Sequence, residues 1–308
     1  MKALVYKSTG SWYQVKDIEG NLWNARMKGV FKLDDITSTN PIAVGDVVDF
    51  DLENEKEQSV IITKIHDRLN YINRQSPRVK SQQHIVAANV DQSLLIATIK
   101  EPRTSQGFID RFLVACEMYH VPAMILFNKM DLYKEKELAI FDRMKDVYER
   151  ICYKVLGASL KRNYAVEEIK EKLKDKTTLI SGHSGVGKST FINIVLPHAQ
   201  VRTQDVSGWS GKGQHTTTFA EMYDLPFGGK IIDTPGMKEF GLVDVEKGEL
   251  SGYFPEMKKR LNDCQFNNCL HINEPGCAIK QGVIDGVINE DRYVSYYNIL
   301  ESISEKKW

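Results

Sequence analysis

Long hydrophobic runs are missing from this 308-residue chain. Nowhere do about eighteen apolar residues follow one another, so no membrane-spanning helix is expected. The opening MKALVYKSTG has no apolar stretch of the kind a secretion signal needs, which makes the cytoplasm the expected location. Net charge is missing too, because forty-one Lys and Arg balance forty-one Asp and Glu. Composition therefore gives no overall sign of a polyanionic partner. Cysteine is scarce, at five residues, and without a secretion signal that argues against a disulfide scaffold. No internal repeat is visible. What is present is ordinary: 42% hydrophobic and 27% charged residues, enough for a real core and too apolar for a disordered chain. The length suggests two or three domains.

Residues 1–72 read as short strands: ALVYKSTGSWYQV, NLWNARMKGVF, DVVDFDL and QSVIITKI, separated by turn-prone breaks such as Glu19-Gly20-Asn21 and Gly45-Asp46. This pattern predicts a small barrel or sandwich, and an OB-like barrel fits the length. From about residue 73 apolar strands alternate with helical patterns. SLLIATI, AMILF, YKVLGA, TTLISG and KIIDTPG are the strands; FIDRFLVACEMYH, KEKELAIFDRMKDVYERI, AVEEIKEKLK and STFINIVL are the helices. Alternation of this kind predicts an α/β unit, over 73–245, around a mostly parallel sheet. Residues 246–308 hold a Cys/His-rich loop and a Tyr-rich helical pattern, DRYVSYYNILESI.

The α/β stretch carries three motifs. Gly182-His183-Ser184-Gly185-Val186-Gly187-Lys188-Ser189 fits G-x4-G-K-[ST] between a strand and a helix that begins Ser189-Thr190. Such a loop curls backbone N–H groups around phosphate oxygens at a helix N-terminus; Lys188 reaches the β- and γ-phosphates and Ser189 ligates Mg²⁺. Asp233-Thr-Pro-Gly236 ends a second strand, where P-loop proteins place an Asp that holds Mg²⁺ through water and a Gly whose N–H meets the γ-phosphate. Asn128-Lys129-Met130-Asp131 follows AMILF and is similar to the guanine-specificity motif N-K-x-D. The Asp131 carboxylate can accept both guanine N1–H and N2–H₂, whereas adenine would leave it unpaired. The Lys129 stem packs along the base. In ordinary GTP-binding proteins the guanine motif follows the phosphate motifs, whereas here it precedes them. That order is the one of a circularly permuted GTPase, which a sheet tolerates because its site is assembled from loops at strand ends. Between the phosphate motifs, Gly211 to Thr218 occupies the place of a switch loop, with Thr217 as its expected Mg²⁺ ligand. Met237 follows Asp233-Thr-Pro-Gly236, where a water-orienting Gln is familiar. Either hydrolysis is slow alone or another group orients the water; His215 is the candidate by motif position, with a solvent-exposed loop His as the alternative.

Cys264-x4-Cys269-x-His271-x5-Cys277 offers three thiolates and an imidazole, a full tetrahedral set for one structural Zn²⁺ with no open position for catalysis. The metal would stabilise a segment with little apolar content of its own.

Together these features resemble the bacterial small-ribosomal-subunit-dependent GTPases of the RsgA type, over nearly the whole chain. The resemblance rests on the OB-like start, Arg68-Leu-Asn-Tyr-Ile-Asn-Arg74, Asn128 to Asp131, Gly182 to Thr190, Gly213-Gln-His215-Thr-Thr, Asp233 to Gly236 and the Cys/His cluster. It implies an OB-like barrel, a permuted GTPase domain and a zinc-binding helical domain. It also implies GTP hydrolysis stimulated by the small (30S) subunit during its late maturation, and contacts of the two outer domains with 16S ribosomal RNA. His215 is catalytic by the same resemblance, and the chain is expected to be a monomer. The guanine loop of the family usually reads Ser-Ala where this chain has Gly157-Ala158. The Ala158 N–H is then the expected donor to guanine O6, without a serine to support the loop. The runner-up reading is a GTP-regulated RNA-binding switch with a non-ribosomal target and incidental hydrolysis, which Met237 motivates.

The zero net charge divides unevenly. Residues 1–72 hold nine basic and eleven acidic side chains, residues 249–308 hold seven and nine, and the middle holds twenty-five and twenty-one. The positive excess sits on the nucleotide unit. RNA recognition by the outer domains is therefore expected to rest on local patches, stacking and shape.

Overall fold

The computed structural model describes residues 1–10, 12–27, 41–75, 83–197, 220–234, 242 and 245–303. The alternating start of the chain gives five strands: β1 (Lys2–Ser8), β2 (Tyr13–Asp17), β3 (Leu22–Met27), β4 (Val47–Asn54) and β5 (Ser59–Ile65). The two-residue period turns Val5, Val15, Val48, Phe50, Val60 and Ile62 into one interior, all fully buried. β1 pairs antiparallel with both β2 and β4, β2 with β3, and β4 with β5, while β3 and β5 run parallel. The sheet closes on itself, so the barrel, not the sandwich, is formed.

A hairpin follows, β6 (Tyr71–Gln75) with β7 (Gln83–Ala88), in a stretch whose mixed composition gave no strand signal. It docks on the barrel at Gly45, where φ is +92° and an added Cβ would come 2.0 Å from the Ala88 carbonyl oxygen. Only glycine fits there. Arg68 secures the same joint: its guanidinium donates to both oxygens of the fully buried Asp46, at 2.6 Å each, and to the Pro41 carbonyl at 2.7 Å. Asn70 pairs with both backbone groups of Val90. The Arg68 to Arg74 motif thus contributes a structural hinge-pin through its first and third residues.

The α/β unit runs β8 (Gln92–Ala97), α1 (Gln106–Met118), β9 (Ala123–Phe127), α2 (Glu135–Arg150), β10 (Lys154–Gly157), α3 (Val166–Leu173), β11 (Thr177–Ser181), α4 (Lys188–Val195), β12 (Glu221–Asp224) and β13 (Lys230–Asp233). Its strands lie in the order β10-β9-β8-β11-β13-β12 and are parallel except for β12. Burial on both faces explains the unbroken apolar runs. One face packs Phe112, Leu113, Phe141 and Tyr148 of α1 and α2 over Leu95, Ile125 and Leu179. The other packs Ile169, Leu173, Phe191 and Ile192 of α3 and α4 over Leu94, Leu126 and Ile180. β11 sits mid-sheet beside β8, and the chain leaves these two strands in opposite directions. The crevice at their carboxyl ends is where an open α/β sheet places its ligand. β12, short and charged, was not foreseen. It carries a single bridge to the barrel, Lys7 opposite Glu221, which joins barrel and sheet into one eleven-stranded surface.

Beyond the sheet come α5 (Pro255–Lys258), α6 (Ala278–Ile284) and α7 (Glu290–Ser302). The Asn289 side chain caps α7 by accepting from the Arg292 N–H at 3.1 Å. α7 lies against α1, where the buried Arg292 donates to Asp110 at 2.7 Å and to both oxygens of Glu256 at 2.7 and 2.9 Å.

Candidate functional site

β11 delivers the chain into a turn that only glycine can make. Gly182, Gly185 and Gly187 have φ of +143°, +81° and +107°, and a Cβ on Gly182 would come 2.3 Å from the Ile96 carbonyl oxygen. Val186 is buried beneath the loop, Ser184 is exposed on it, and Lys188, Ser189 and Thr190 open α4. The Lys188 ammonium donates to the Gly182 and His183 carbonyls at 2.5 and 2.7 Å, reaching back over the loop. Burial lowers its proton affinity, against the pull of Asp233. The His183 ring packs on Phe108 of α1 with centroids 3.7 Å apart.

The guanine motif meets this loop through Asn128, which is buried. Its side-chain amide donates to the Val186 carbonyl at 2.8 Å, and its side-chain oxygen accepts from the Leu160 N–H at 3.1 Å. One side chain therefore ties three loops together. Lys129 takes a left-handed φ of +67°, and its ammonium donates to the Glu101 carbonyl. Asp131 accepts from the Ser159 hydroxyl at 2.5 Å and lies 3.7 Å from Arg162.

Here one expectation is corrected. The Ala158 N–H is committed to the Phe127 carbonyl at 2.8 Å, because the β9–β10 ladder runs one residue past Gly157, and Ala158 is wholly buried. The residues that turn toward Asp131 and Asn128 are the next two, Ser159 and Leu160. A serine thus supports the loop after all, two positions later than Gly157. At Gly157 itself a Cβ would lie 2.9 Å from the tip of the Phe141 ring, so a side chain there would require that ring to shift. The signal that could have found Ser159 was the length of the strand rather than the identity of its last residues.

Asp233 ends β13, and Lys188 pulls its carboxyl down while burial, the larger influence, pushes it up. Its neighbour Thr234 donates its hydroxyl to the Ile180 carbonyl at 3.2 Å, pinning the two phosphate-motif strands at their ends. The expected site residues His215, Thr217 and Gly236 lie outside the described residues. What is brought together is a phosphate loop, a half-buried lysine and a half-buried aspartate within electrostatic reach of each other, and a carboxylate backed by serine, at the carboxyl ends of adjacent strands.

The four expected metal ligands also converge. The ligand atoms of Cys264, Cys269, His271 and Cys277 lie within 4.8 Å of one another, and all four residues are buried. His271 Nδ1 faces Cys277 Sγ at 3.4 Å and Cys264 Sγ at 3.7 Å. Burial lowers the proton affinity of His271, which keeps the ring neutral as a ligand must be. Burial pushes the Cys269 thiol up to about 12, so a bound cation would be needed to hold it as thiolate. The Glu274 carboxylate shapes the loop by accepting from the Leu270 and Ile272 N–H groups at 2.8 Å each. Tyr293 and Tyr296 of α7 donate to the His271 and Leu270 carbonyls at 2.6 and 2.9 Å. The donor set and its geometry fit a structural metal ion. Among the described residues no helix is long and apolar enough to cross a membrane.

Residues 65–243 match the RsgA GTPase family and residues 2–61 match the RsgA N-terminal domain. A protein of Flavobacterium psychrophilum named small ribosomal subunit biogenesis GTPase RsgA is 51% identical, over 99% of this chain and 94% of its own. A Bacteroides fragilis protein of the same name is 48% identical over 100% and 99%. The crystal structure of YjeQ from Thermotoga maritima superposes with a TM-score of 0.80 at 31% identity, covering 99% of both chains. That of YloQ, described as a circularly permuted GTPase, gives 0.75 at 29% identity, covering 100% and 96%.

Proposed function

This chain belongs to the RsgA GTPase family, and from that membership we propose that it binds the small (30S) ribosomal subunit and hydrolyses GTP during its late maturation, at a rate the subunit stimulates. The observation that carries the reading is the Asn128 clasp, which holds the phosphate loop, the Asp131 turn and the Ser159-Leu160 turn in one piece. The loop N–H groups and Lys188 grip the phosphates, and Asp131, backed by the Ser159 hydroxyl, selects guanine. Ser189, Thr217 and, through water, Asp233 would hold Mg²⁺, which neutralises phosphate charge when bound. With Met237 unable to orient water, His215 takes that part. The Cys/His cluster holds one Zn²⁺, and the barrel and C-terminal segment meet 16S ribosomal RNA. These parts suit a monomer working in the cytoplasm.

GTP turnover with and without purified small subunits tests the reading. A rise of about tenfold or more is expected, and a His215→Ala chain should lose most of it while still binding GTP. No rise together with no co-sedimentation would remove the ribosomal claim; a normal stimulated rate in the variant would remove His215. Asp131→Asn should weaken GTP binding by about ten- to a hundredfold and favour xanthine nucleotides. Unchanged GTP affinity would refute the base assignment.

A further inference from the structure

A row of charges runs from the barrel to the phosphate site. Lys7 on β1 pairs with Glu221 on β12, Nζ to Oε2 3.0 Å, at the one bridge where the two strands meet. Glu221 stands directly opposite Asp233 in the antiparallel β12–β13 pair. Residues directly opposite share a face with Cβ atoms about 4.5–5.5 Å apart, and like charges there repel. Asp233 in turn lies within electrostatic reach of Lys188. The row therefore reads plus, minus, minus, plus across three strands and the phosphate loop. Tyr223, two residues along β12, hydrogen-bonds Glu221 on the same face. The Lys7 and Glu221 side chains are only 34% and 22% exposed, so water screens the pair incompletely. On the other face of β12 the barrel is held separately, by Tyr6 and Lys16 donating to Asp224 at 2.7 Å each.

We propose that Lys7 is a positioning residue for the phosphate site: by pairing with Glu221 it keeps a second carboxylate from adding its field to Asp233, and so favours the nucleotide that carries the extra phosphate. The proposal rests on Asp233 and Lys188 being the phosphate and Mg²⁺ end of the site. Each added phosphate brings negative charge toward Asp233, so it gains most from a neutralised Glu221. Linkage is reciprocal. A γ-phosphate in the site must tighten the Lys7–Glu221 pair by the same factor.

The test measures affinities of the full-length chain, with Mg²⁺, for fluorescent GDP and a non-hydrolysable fluorescent GTP analogue. Lys7→Ala should lower the preference for the GTP analogue over GDP by about three- to tenfold, as expected for a charge a few ångströms away in a half-screened site. Lys7→Arg should keep the preference. In a Glu221→Gln background, Lys7→Ala should change nothing. Tyr6→Phe, which loosens the docking without removing the charge, should leave the preference intact. An equal loss for both nucleotides, a Lys7→Ala effect that survives in Glu221→Gln, or an equal shift from Tyr6→Phe would each overturn the proposal. A native chain that bound neither nucleotide with Mg²⁺ would overturn the site reading, and the proposal with it.

Discussion

The nucleotide sheet is held to its two neighbours by opposite means. At β12 the barrel is attached by an apolar contact, in which Tyr6 and Val44 share a buried core with Met222 and Ile232, and its polar attachments are one strand bridge and ion pairs whose side chains are a fifth to nearly half exposed, Lys7–Glu221 and Lys16–Asp224. At α1 the C-terminal segment is attached by Arg292, 1% exposed, between Asp110 and Glu256 and under the ring of Phe254. Pairs of the first kind contribute little and respond to salt. A pair of the second kind gains little over an apolar contact, yet breaking it leaves buried charge behind. The polar part of one joint is therefore open to salt, and that of the other is shielded from it. The first touches β12, next to the strand that bears Asp233; the second touches a helix.

Stripping the metal should have the largest effect on this contrast. Purified protein should carry about one zinc per chain by elemental analysis. Chelation should unfold the Cys/His loop and, through Tyr293 and Tyr296, release α7 from α1, seen as lost near-ultraviolet signal and a lower melting point. A well-folded sample without zinc would refute the metal assignment. Next in size, Arg292→Met should cost about 3–5 kcal/mol in denaturant unfolding, because Asp110 and Glu256 stay buried without a partner. A cost below about 1 kcal/mol would mean that the buried joint is no stronger than the exposed one.

The smallest effect is expected at the exposed joint. Asp224→Asn should cost under about 1 kcal/mol, and nothing measurable near 1 M salt, where screening acts within about 3 Å. Burial works against the Asp224 charge, but its bonds to Lys16 and Tyr6 hold the carboxyl below its usual range. Its contribution is therefore present above the unfolded value of about 3.9 and fades as pH falls through the lower folded value. An Asp224→Asn chain should lose less stability than the native chain on acidification below pH ~4. Equal losses would show that Asp224 takes no part.

Motifs were legible because their chemistry is local. Three glycines with positive φ must be written into the chain where the phosphate loop turns, and the apolar runs of β8, β9 and β11 announce strands buried on both faces. The same holds for Cys264, Cys269, His271 and Cys277, whose spacing within fourteen residues already placed them on one loop. What could not be read was set by contacts across the chain. Arg292 and Asp110 are 182 positions apart, and nothing local marks them as partners. β12 is four residues, EMYD, two of them acidic, with no period to detect. The Ala158 expectation failed because the end of a strand is decided by its neighbour: the Phe127 carbonyl holds the ladder one residue longer, which passes the turn to Ser159. The β6–β7 hairpin was missed for a similar reason, since it is stabilised against Val44 and Gly45 of the barrel rather than by its own pattern.

The single bridge between Lys7 and Glu221 has a consequence for solubility. Without β1, β12 would be the open margin of a parallel sheet, offering unpaired backbone groups to any passing strand, the usual route to edge-to-edge aggregation. The barrel, which has no margin of its own, covers that one. The acidic residues of β12, Glu221 and Asp224, guard the strand a second time, because a foreign strand laid there would have to match the lysines that the barrel already supplies. A chain trimmed of its first seventy residues would thus lose the cover that keeps its sheet to itself.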